Sequence, residues 1–467
     1  LETVADKLRI VIERQRSAFQ AEPFPSCIVR RDRLDRLRRL VKEQAEAFGE
    51  AISADFGNRS RHETTLLEIA PLLAELRHAR GHVGRWMRPR RRGRSLEFLQ
   101  LSNWVQYQPL GVVGIMVPWN YPILLALGPL VDVLAAGNRA VIKPSELLPK
   151  TSALLARVIP DYFSPAEVTV VEGGVDVAQA FAALPFDHLI FTGSTAVGKR
   201  VMAAAAENLT PLTLELGGKS PVVIAPDYPV ESAARDIAFG KMMNAGQTCI
   251  APDYVLVPRE KMGQLAEALV KRIEAFYPKG SKAADFSSLI AERFQTRLAN
   301  ALEEVRQRDA KIVTCDIDLS GAGSRFAPTL VLDPADDCLL MQEEIFGPVL
   351  PIVPYDTVED ALAIIARKPR PLALYIFTHD RKTERRLLRN TISGNVTING
   401  TLLHIAQTDL PFGGVGPSGQ GAYHGFEGFA RFSHARGIAK VRLFNPSVFA
   451  SPPFGKMATW LARLMMR

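Results

Sequence analysis

Between Val4 and Leu76 apolar positions recur every three to four residues. Leu34, Leu37, Leu40 and Val41 share this spacing beside Arg31, Asp32, Arg36, Arg38 and Arg39. The pattern predicts amphipathic helices, with another over Glu63–Leu76. From Gly111 to Leu216 the pattern changes. Short apolar runs at Val112–Val117, Ala140–Lys143, Val168–Val171 and His188–Phe191 alternate with helical segments at Ile123–Ala136, Thr151–Ile159 and Thr195–Leu209. Because the runs are continuous and not alternating, they predict parallel strands covered by helices on both faces. A second α/β unit is expected from Lys219 to about Val415. Its strands are Pro221–Ile224, Tyr254–Val257, Ala373–Phe377 and Asn395–Ile398, its long helix is Glu260–Phe276, and a glycine-rich loop at Phe412–Gly421 returns across a site.

Composition narrows the class. With 467 residues, 47% hydrophobic and 23% charged, the chain is long enough for two or three domains and has the profile of a folded soluble protein. Lys plus Arg is 57 and Asp plus Glu is 49, a net +8 that argues weakly for anionic ligands and not for nucleic acid. The arginine-dense stretch Arg77–Arg94 reads as a solvated connection into an extended arm, with Leu96–Tyr107 as a strand pair. Leu1–Phe19 lacks a signal-peptide core, and Ile123–Ala136, interrupted by Asp132, is too short to span a bilayer and reads as a buried helix. Cys27, Cys249, Cys315 and Cys338 have neither metal-like nor disulfide-framework spacing, so a reducing, cytoplasmic setting is expected.

Several short segments can carry chemistry. In Asn244-Ala-Gly-Gln-Thr-Cys249 small residues let the backbone approach a ligand, and Cys249 is either a thiolate nucleophile or a small buried hydrophobe. Glu215-Leu-Gly-Gly-Lys219 places a carboxylate at a strand end, where it is either a general base of raised pKa or a solvated boundary residue. Asn120, in Pro118-Trp-Asn-Tyr-Pro122, offers an amide either to a developing oxyanion or as the N-cap of the following helix. Phe191-Thr-Gly-Ser-Thr-Ala-Val-Gly198 lies at a strand-to-helix junction, where Gly193 allows the turn and Ser194 with the first helical amides can face an anion. It is neither a G-x-G-x-x-G fingerprint nor a Walker loop. Lys143 and Glu146 either bracket ribose hydroxyls or form a surface turn.

Taken in order, these segments resemble the aldehyde dehydrogenase superfamily. The resemblance runs from the N-terminal helices to about Phe432 and adds Glu343-Glu-Ile-Phe-Gly-Pro348 and Pro411-Phe-Gly-Gly414 to the motifs above. Gly421-Ala-Tyr-His-Gly425 and Phe432-Ser-His-Ala-Arg436 look most like its fatty, aromatic and coniferyl aldehyde branch. The resemblance implies an α/β fold with a Rossmann-like cofactor domain (1–86 and 107–216) and an α/β catalytic domain (217–416). It further implies a small β oligomerisation arm (87–106 and 436–443) and a C-terminal tail (444–467).

The implied reaction is NAD(P)-dependent oxidation of an aromatic or medium- to long-chain aldehyde to its acid, through a cysteine thiohemiacetal and thioester. Cys249 would be the nucleophile, Glu215 the base and Asn120 an oxyanion donor. Lys143 and Glu146 would hold the adenosine ribose, Trp119, Gly193 and Ser194 the pyrophosphate, Glu344 the nicotinamide ribose, and Phe346 the ring. NAD is the expected cofactor, with NADP tolerated in this branch, and no metal is required. A homodimer is expected ahead of a tetramer. A CoA-acylating enzyme and an inactive structural homologue are the alternatives. In the tail, Trp460, Leu461, Leu464 and Met465, with Lys456, Arg463 and Arg467, either cover an apolar patch at the tunnel mouth or partner subunit, or touch an anionic membrane.

Overall fold

The computed structural model describes residues 3–94, 100–278, 283–320, 323–442, 445, 447–448 and 451–466. Three sheets organise the chain. The first has the strand order Gly419–Gln420, Leu212–Leu216, His188–Gly193, Val112–Met116, Arg139–Lys143, Val168–Val170, with only the short Gly419–Gln420 strand antiparallel. From the Val112–Met116 strand the chain winds outward first one way and then the other. In an open parallel sheet such a reversal opens a crevice at the carboxyl ends of the strands. Those ends lead into Pro118–Asn120, Glu146, Ser194 and Gly217, so four of the segments singled out from sequence converge on one edge.

The second sheet has seven strands, in the order Lys311–Thr314, Thr329–Leu332, Val349–Tyr355, Tyr254–Pro258, Pro221–Ile224, Ala373–Phe377, Asn395–Ile398. All neighbours are parallel except the Lys311–Thr314 edge. The third sheet is antiparallel and joins Arg90–Arg91, Leu101–Pro109 and Ser433–Val441. Residues 95–99 and 443 lie outside the described residues, and the described part of the expected Leu96–Tyr107 strand pair is instead one strand, Leu101–Pro109, whose partners are Arg90–Arg91 and Ser433–Val441.

Leu34, Leu37, Leu40 and Val41 are fully buried along the Cys27–Glu43 helix, as the periodicity predicts. The arginine-dense stretch needs correction. Its first half is not a connection but the end of a helix, Ala70–Trp86, because Ala79, Val83 and Trp86 continue the buried stripe while arginine favours helix on the exposed face. Arg80 pairs with Asp35 at 2.7 Å, and the Arg90 guanidinium lies 3.5 Å from the centre of the Phe426 ring. One π-helical turn, Thr65–Ile69, interrupts the helical pattern just before. The apolar run becomes the buried helix Pro122–Ala136. The terminal helix Lys456–Met465 leaves Met457, Trp460 and Met465 more than half exposed, and its described residues line neither of the two cavities that meet at Cys249. The Leu464 side chain and Arg467 lie outside the described residues.

Candidate active site

Cys249 ends a loop of unusual backbone. Asn244, Ala245 and Gly246 have φ of 52°, 51° and 75°, three consecutive residues in the left-handed region. The first two cost about 1 kcal/mol or more each. Contacts on every side hold the loop. Asn244 donates its N–H to Glu63 Oε1 at 3.0 Å, and Gln247 Nε2 donates to Asn244 O at 2.9 Å and Ser288 O at 3.0 Å. A Cβ on Gly246 would stand 2.3 Å from the Gly347 carbonyl, so glycine is needed there for space as well as conformation.

The Asn120 segment is pinned from beneath by a fully buried ion pair. Arg59 Nη1 lies 3.0 Å from Glu68 Oε1 and donates to Asn120 O at 2.9 Å. Glu68 Oε2 in turn accepts the N–H groups of Ile123 at 2.8 Å and Leu124 at 3.1 Å. Glu68 thus caps the Pro122–Ala136 helix, which removes the N-cap reading of Asn120. The Asn120 amide instead points toward the cysteine loop, donating from Nδ2 to Gln247 O at 3.1 Å.

Glu215 sits on the Leu212–Leu216 strand, in register with Thr192 on one side and Gly419 on the other. It is 3% exposed and neither carboxyl oxygen has a hydrogen-bond partner. Burial raises its pKa well above the ordinary value, only partly opposed by Arg431, which excludes a solvated boundary residue. Burial, followed by the nearby Glu344 and Glu215 carboxyls, pushes the Cys249 thiol up to about 12. At neutral pH the resting thiol is therefore neutral, and burial shifts Glu215 toward its protonated form.

Two cavities meet at these residues. Both are lined by Cys249, Glu215, Thr192 and Leu216. The smaller, about 170 Å³, is an apolar tunnel walled by Leu124, Leu125, Ile250, Leu402, Ile405 and Phe412. Leu66, Phe239 and Leu403 also line it and are 65%, 40% and 55% exposed, giving the tunnel an apolar mouth.

The larger cavity, about 660 Å³, is lined by Trp119, Asn120, Lys143, Glu146, Gly193, Ser194, Glu344 and Phe346, so the structure gathers every sequence-selected cofactor residue at one place. Ser194 Oγ caps the Thr195–Ala206 helix by accepting from Val197 N at 3.4 Å. Gly193 owes its identity to space, since a Cβ would meet the Phe191 ring at 2.5 Å. Lys143 Nζ donates to Gly173 O at 2.7 Å and lies 3.6 Å from Glu146 Oε2. Glu344 is held by its own segment: Lys219 Nζ binds Asp253 Oδ2 at 2.5 Å and the Leu340 and Glu343 carbonyls, while Asp253 Oδ1 accepts Ile345 N at 3.0 Å. Burial raises Glu344 to about 8, and its Oε1 has no partner. Trp119 forms an aromatic wall with Phe294 and Phe346, at ring distances of 5.1 and 5.4 Å.

This donor set fits a dinucleotide. A helix N-terminus and cation suit phosphate, and an orphaned buried carboxyl oxygen suits sugar hydroxyls. Phe294, Arg59 and Glu68 escaped the sequence reading; for Glu68 the available signal was a carboxylate between Leu67 and Ile69 in an apolar stretch.

The aldehyde dehydrogenase family model matches residues 4–438. The chain belongs to this family. A Pseudomonas aeruginosa protein named "Probable coniferyl aldehyde dehydrogenase" is 49% identical over 97% of this chain and 94% of its own length. The coniferyl aldehyde dehydrogenase of Pseudomonas sp. strain HR199 is 44% identical over 93% and 91%. Substrate-bound Staphylococcus aureus AldH superposes with a TM-score of 0.90, at 34% identity over 98% of this chain and 99% of that one. A Mycobacterium tuberculosis aldehyde dehydrogenase complexed with NAD+ gives 0.85, at 30% identity over 94% and 91%. The protein is thus an NAD(P)-dependent aldehyde dehydrogenase of the α/β fold.

Proposed function

We propose that this aldehyde dehydrogenase oxidises aromatic, coniferyl-type aldehydes, in preference to medium- to long-chain aliphatic ones, to carboxylic acids with Cys249 as nucleophile. The observation that carries this reading is the placement of Cys249 and Glu215 where the apolar tunnel joins the dinucleotide cavity. NAD bound there supplies the hydride acceptor. Cys249 attacks the aldehyde carbon as the thiolate, its thiol proton released to solvent, and the thiohemiacetal oxygen takes hydrogen bonds from the Cys249 backbone N–H and the Asn120 Nδ2 proton not spent on Gln247. One such donor is worth about 3 kcal/mol in the transition state. Oxidation leaves a thioester on Cys249. Glu215, once ionised, takes a proton from water as its oxygen attacks, releasing acid and thiol.

In this reading Lys143 and Glu146 hold the adenosine ribose, and Trp119, Gly193 and Ser194 flank the pyrophosphate. Glu344 holds the nicotinamide ribose, and Phe346 packs near the ring. The negative charge of Glu146 disfavours the extra phosphate of NADP, so NAD is preferred. The division into cofactor (1–86, 107–216) and catalytic (217–416) domains belongs to the same proposal, supported by the two parallel sheets. The edge strand Ser433–Val441, largely exposed, supports pairing of two subunits through the arm sheet. The exposed terminal helix then packs on that partner or on an anionic lipid surface. No helix among the described residues is long and apolar enough to cross a membrane, and a cytoplasmic setting is proposed from the unpaired cysteines.

A panel of coniferyl, benzaldehyde-like and aliphatic aldehydes with NAD and NADP tests the reading. Acid formation with a clear NAD preference is expected. Formation of acyl-CoA when CoA is added would favour the acylating alternative, and equal use of both cofactors unchanged by Glu146→Gln would refute the charge argument.

A further inference from the structure

One wall of the aldehyde tunnel carries a polar group that the chemistry at Cys249 does not use. Glu75 projects from the Ala70–Trp86 helix, in register with the buried Leu72, Ala79 and Trp86, where an apolar residue would be expected. It is 5% exposed, and its Oε1 has no hydrogen-bond partner. Near it lies Asp132 of the Pro122–Ala136 helix, wholly buried, whose Oδ2 accepts the His424 N–H at 3.0 Å and whose Oδ1 is likewise unpartnered.

The room Asp132 occupies is made by Gly428, where a Cβ would fall 1.9 Å from Asp132 Oδ2. Gly128 packs against Glu75, where a Cβ would stand 3.4 Å from Oε2, at ordinary contact distance. The groups facing the pair are Tyr423, His424 and Glu427, none of them a cation at neutral pH. Burial first, and the Asp132 charge second, hold Glu75 well above the ordinary carboxyl range, while burial raises Asp132 to about 8. Glu75 thus presents an unpartnered carboxyl to an apolar wall, where burial favours the protonated form, which can both donate and accept a hydrogen bond.

We propose that Glu75, backed by Asp132, is a specificity-determining residue that hydrogen-bonds an oxygen substituent on the body of the aldehyde, so that phenolic and methoxy-substituted aromatic aldehydes are preferred over unsubstituted ones. This rests on the aldehyde-oxidising reading above and narrows its substrate class. A hydrocarbon chain filling the tunnel leaves the Glu75 carboxyl unpaired and desolvated, whereas a phenolic hydroxyl satisfies it.

The full-length enzyme and its Glu75→Leu, Glu75→Met and Glu75→Gln variants are compared with NAD on 4-hydroxy-3-methoxycinnamaldehyde, cinnamaldehyde and decanal. Both apolar variants are expected to lose about ten- to hundredfold in kcat/KM on the substituted aldehyde, chiefly through KM, and to hold or improve on the other two. Glu75→Gln keeps a neutral donor and acceptor and is expected to retain most of the preference. If Leu fails to fold, Met gives the same comparison. Equal losses on both aromatic aldehydes, or a full preference in an apolar variant, would overturn the assignment of Glu75. Wild-type enzyme that oxidises none of the three would instead overturn the reading of the whole site.

Discussion

Breaking the buried Arg59–Glu68 pair should damage stability and turnover together. Both side chains are fully buried and 3.0 Å apart, and Arg59 also holds the Asn120 carbonyl at 2.9 Å. Glu68→Gln keeps an acceptor for the Ile123 and Leu124 amides but strands a guanidinium away from water, an effect expected to cost about 3–5 kcal/mol. Arg59→Met leaves a carboxyl that can take up a proton, so the cost falls near the lower end, about 3 kcal/mol. The double variant restores neutrality. It should cost about 1–3 kcal/mol less than the sum of the singles. Asn120 would retain its contact from Asn244 Nδ2 at 3.0 Å but lose its anchor beneath, so kcat of Arg59→Met should fall about tenfold or more. Equilibrium urea unfolding of the cofactor-free proteins, followed by tryptophan fluorescence, gives the stabilities, and NADH formation gives kcat. Single costs below about 1 kcal/mol that simply add would refute a coupled buried pair.

Three other outcomes follow from the geometry. Gly217→Ala places a Cβ 2.1 Å from Glu344 Oε2, so displacement of that carboxylate should raise KM for NAD at least about tenfold while the aldehyde KM changes little; an unchanged NAD KM would contradict the placement of Glu344. Because burial pushes Cys249 up to about 12, its alkylation by iodoacetamide in cofactor-free enzyme should rise about tenfold per pH unit through pH 9 without a plateau, and a plateau near pH 7 would contradict a buried thiol. Glu215 has its pKa raised by burial, so its basic form accumulates as pH rises. Thioester hydrolysis should therefore keep quickening as pH rises beyond the ordinary carboxyl range in the wild type and lose that dependence in Glu215→Gln, as single-turnover decay of the acyl-enzyme would reveal.

The parallel strands of the cofactor sheet were legible because helices cover both faces and leave continuous apolar runs. The strand Val349–Tyr355 was not. Pro351 and Pro354 interrupt it, and prolines usually exclude a strand from the middle of a sheet, yet this one lies between Thr329–Leu332 and Tyr254–Pro258. At the site, Cys249, Glu215, Asn120, Lys143, Glu146, Gly193 and Ser194 stand out in short segments with small residues or prolines, whereas Trp119, Glu344 and Phe346 were reached only through the resemblance to the family. Arg59 acts from the turn before the Arg61–Thr64 helix, and Glu68 and Phe294 from helices, where nothing local marks them, and only the tertiary fold shows which backbone or ring each one meets. Asp132 was visible as an acid in an apolar run, but its neighbour Glu75 comes from another helix that sequence spacing cannot bring to it.

The covalent role of Cys249 is tested most directly by intact-mass analysis during turnover. Glu215→Gln enzyme mixed with NAD and an aromatic aldehyde should accumulate a species heavier by one acyl group, mapped by digestion to the peptide containing Cys249. The same variant carrying Cys249→Ala should form no adduct and no NADH. Normal NADH formation without Cys249, or an acyl group mapped to another residue, would contradict the account.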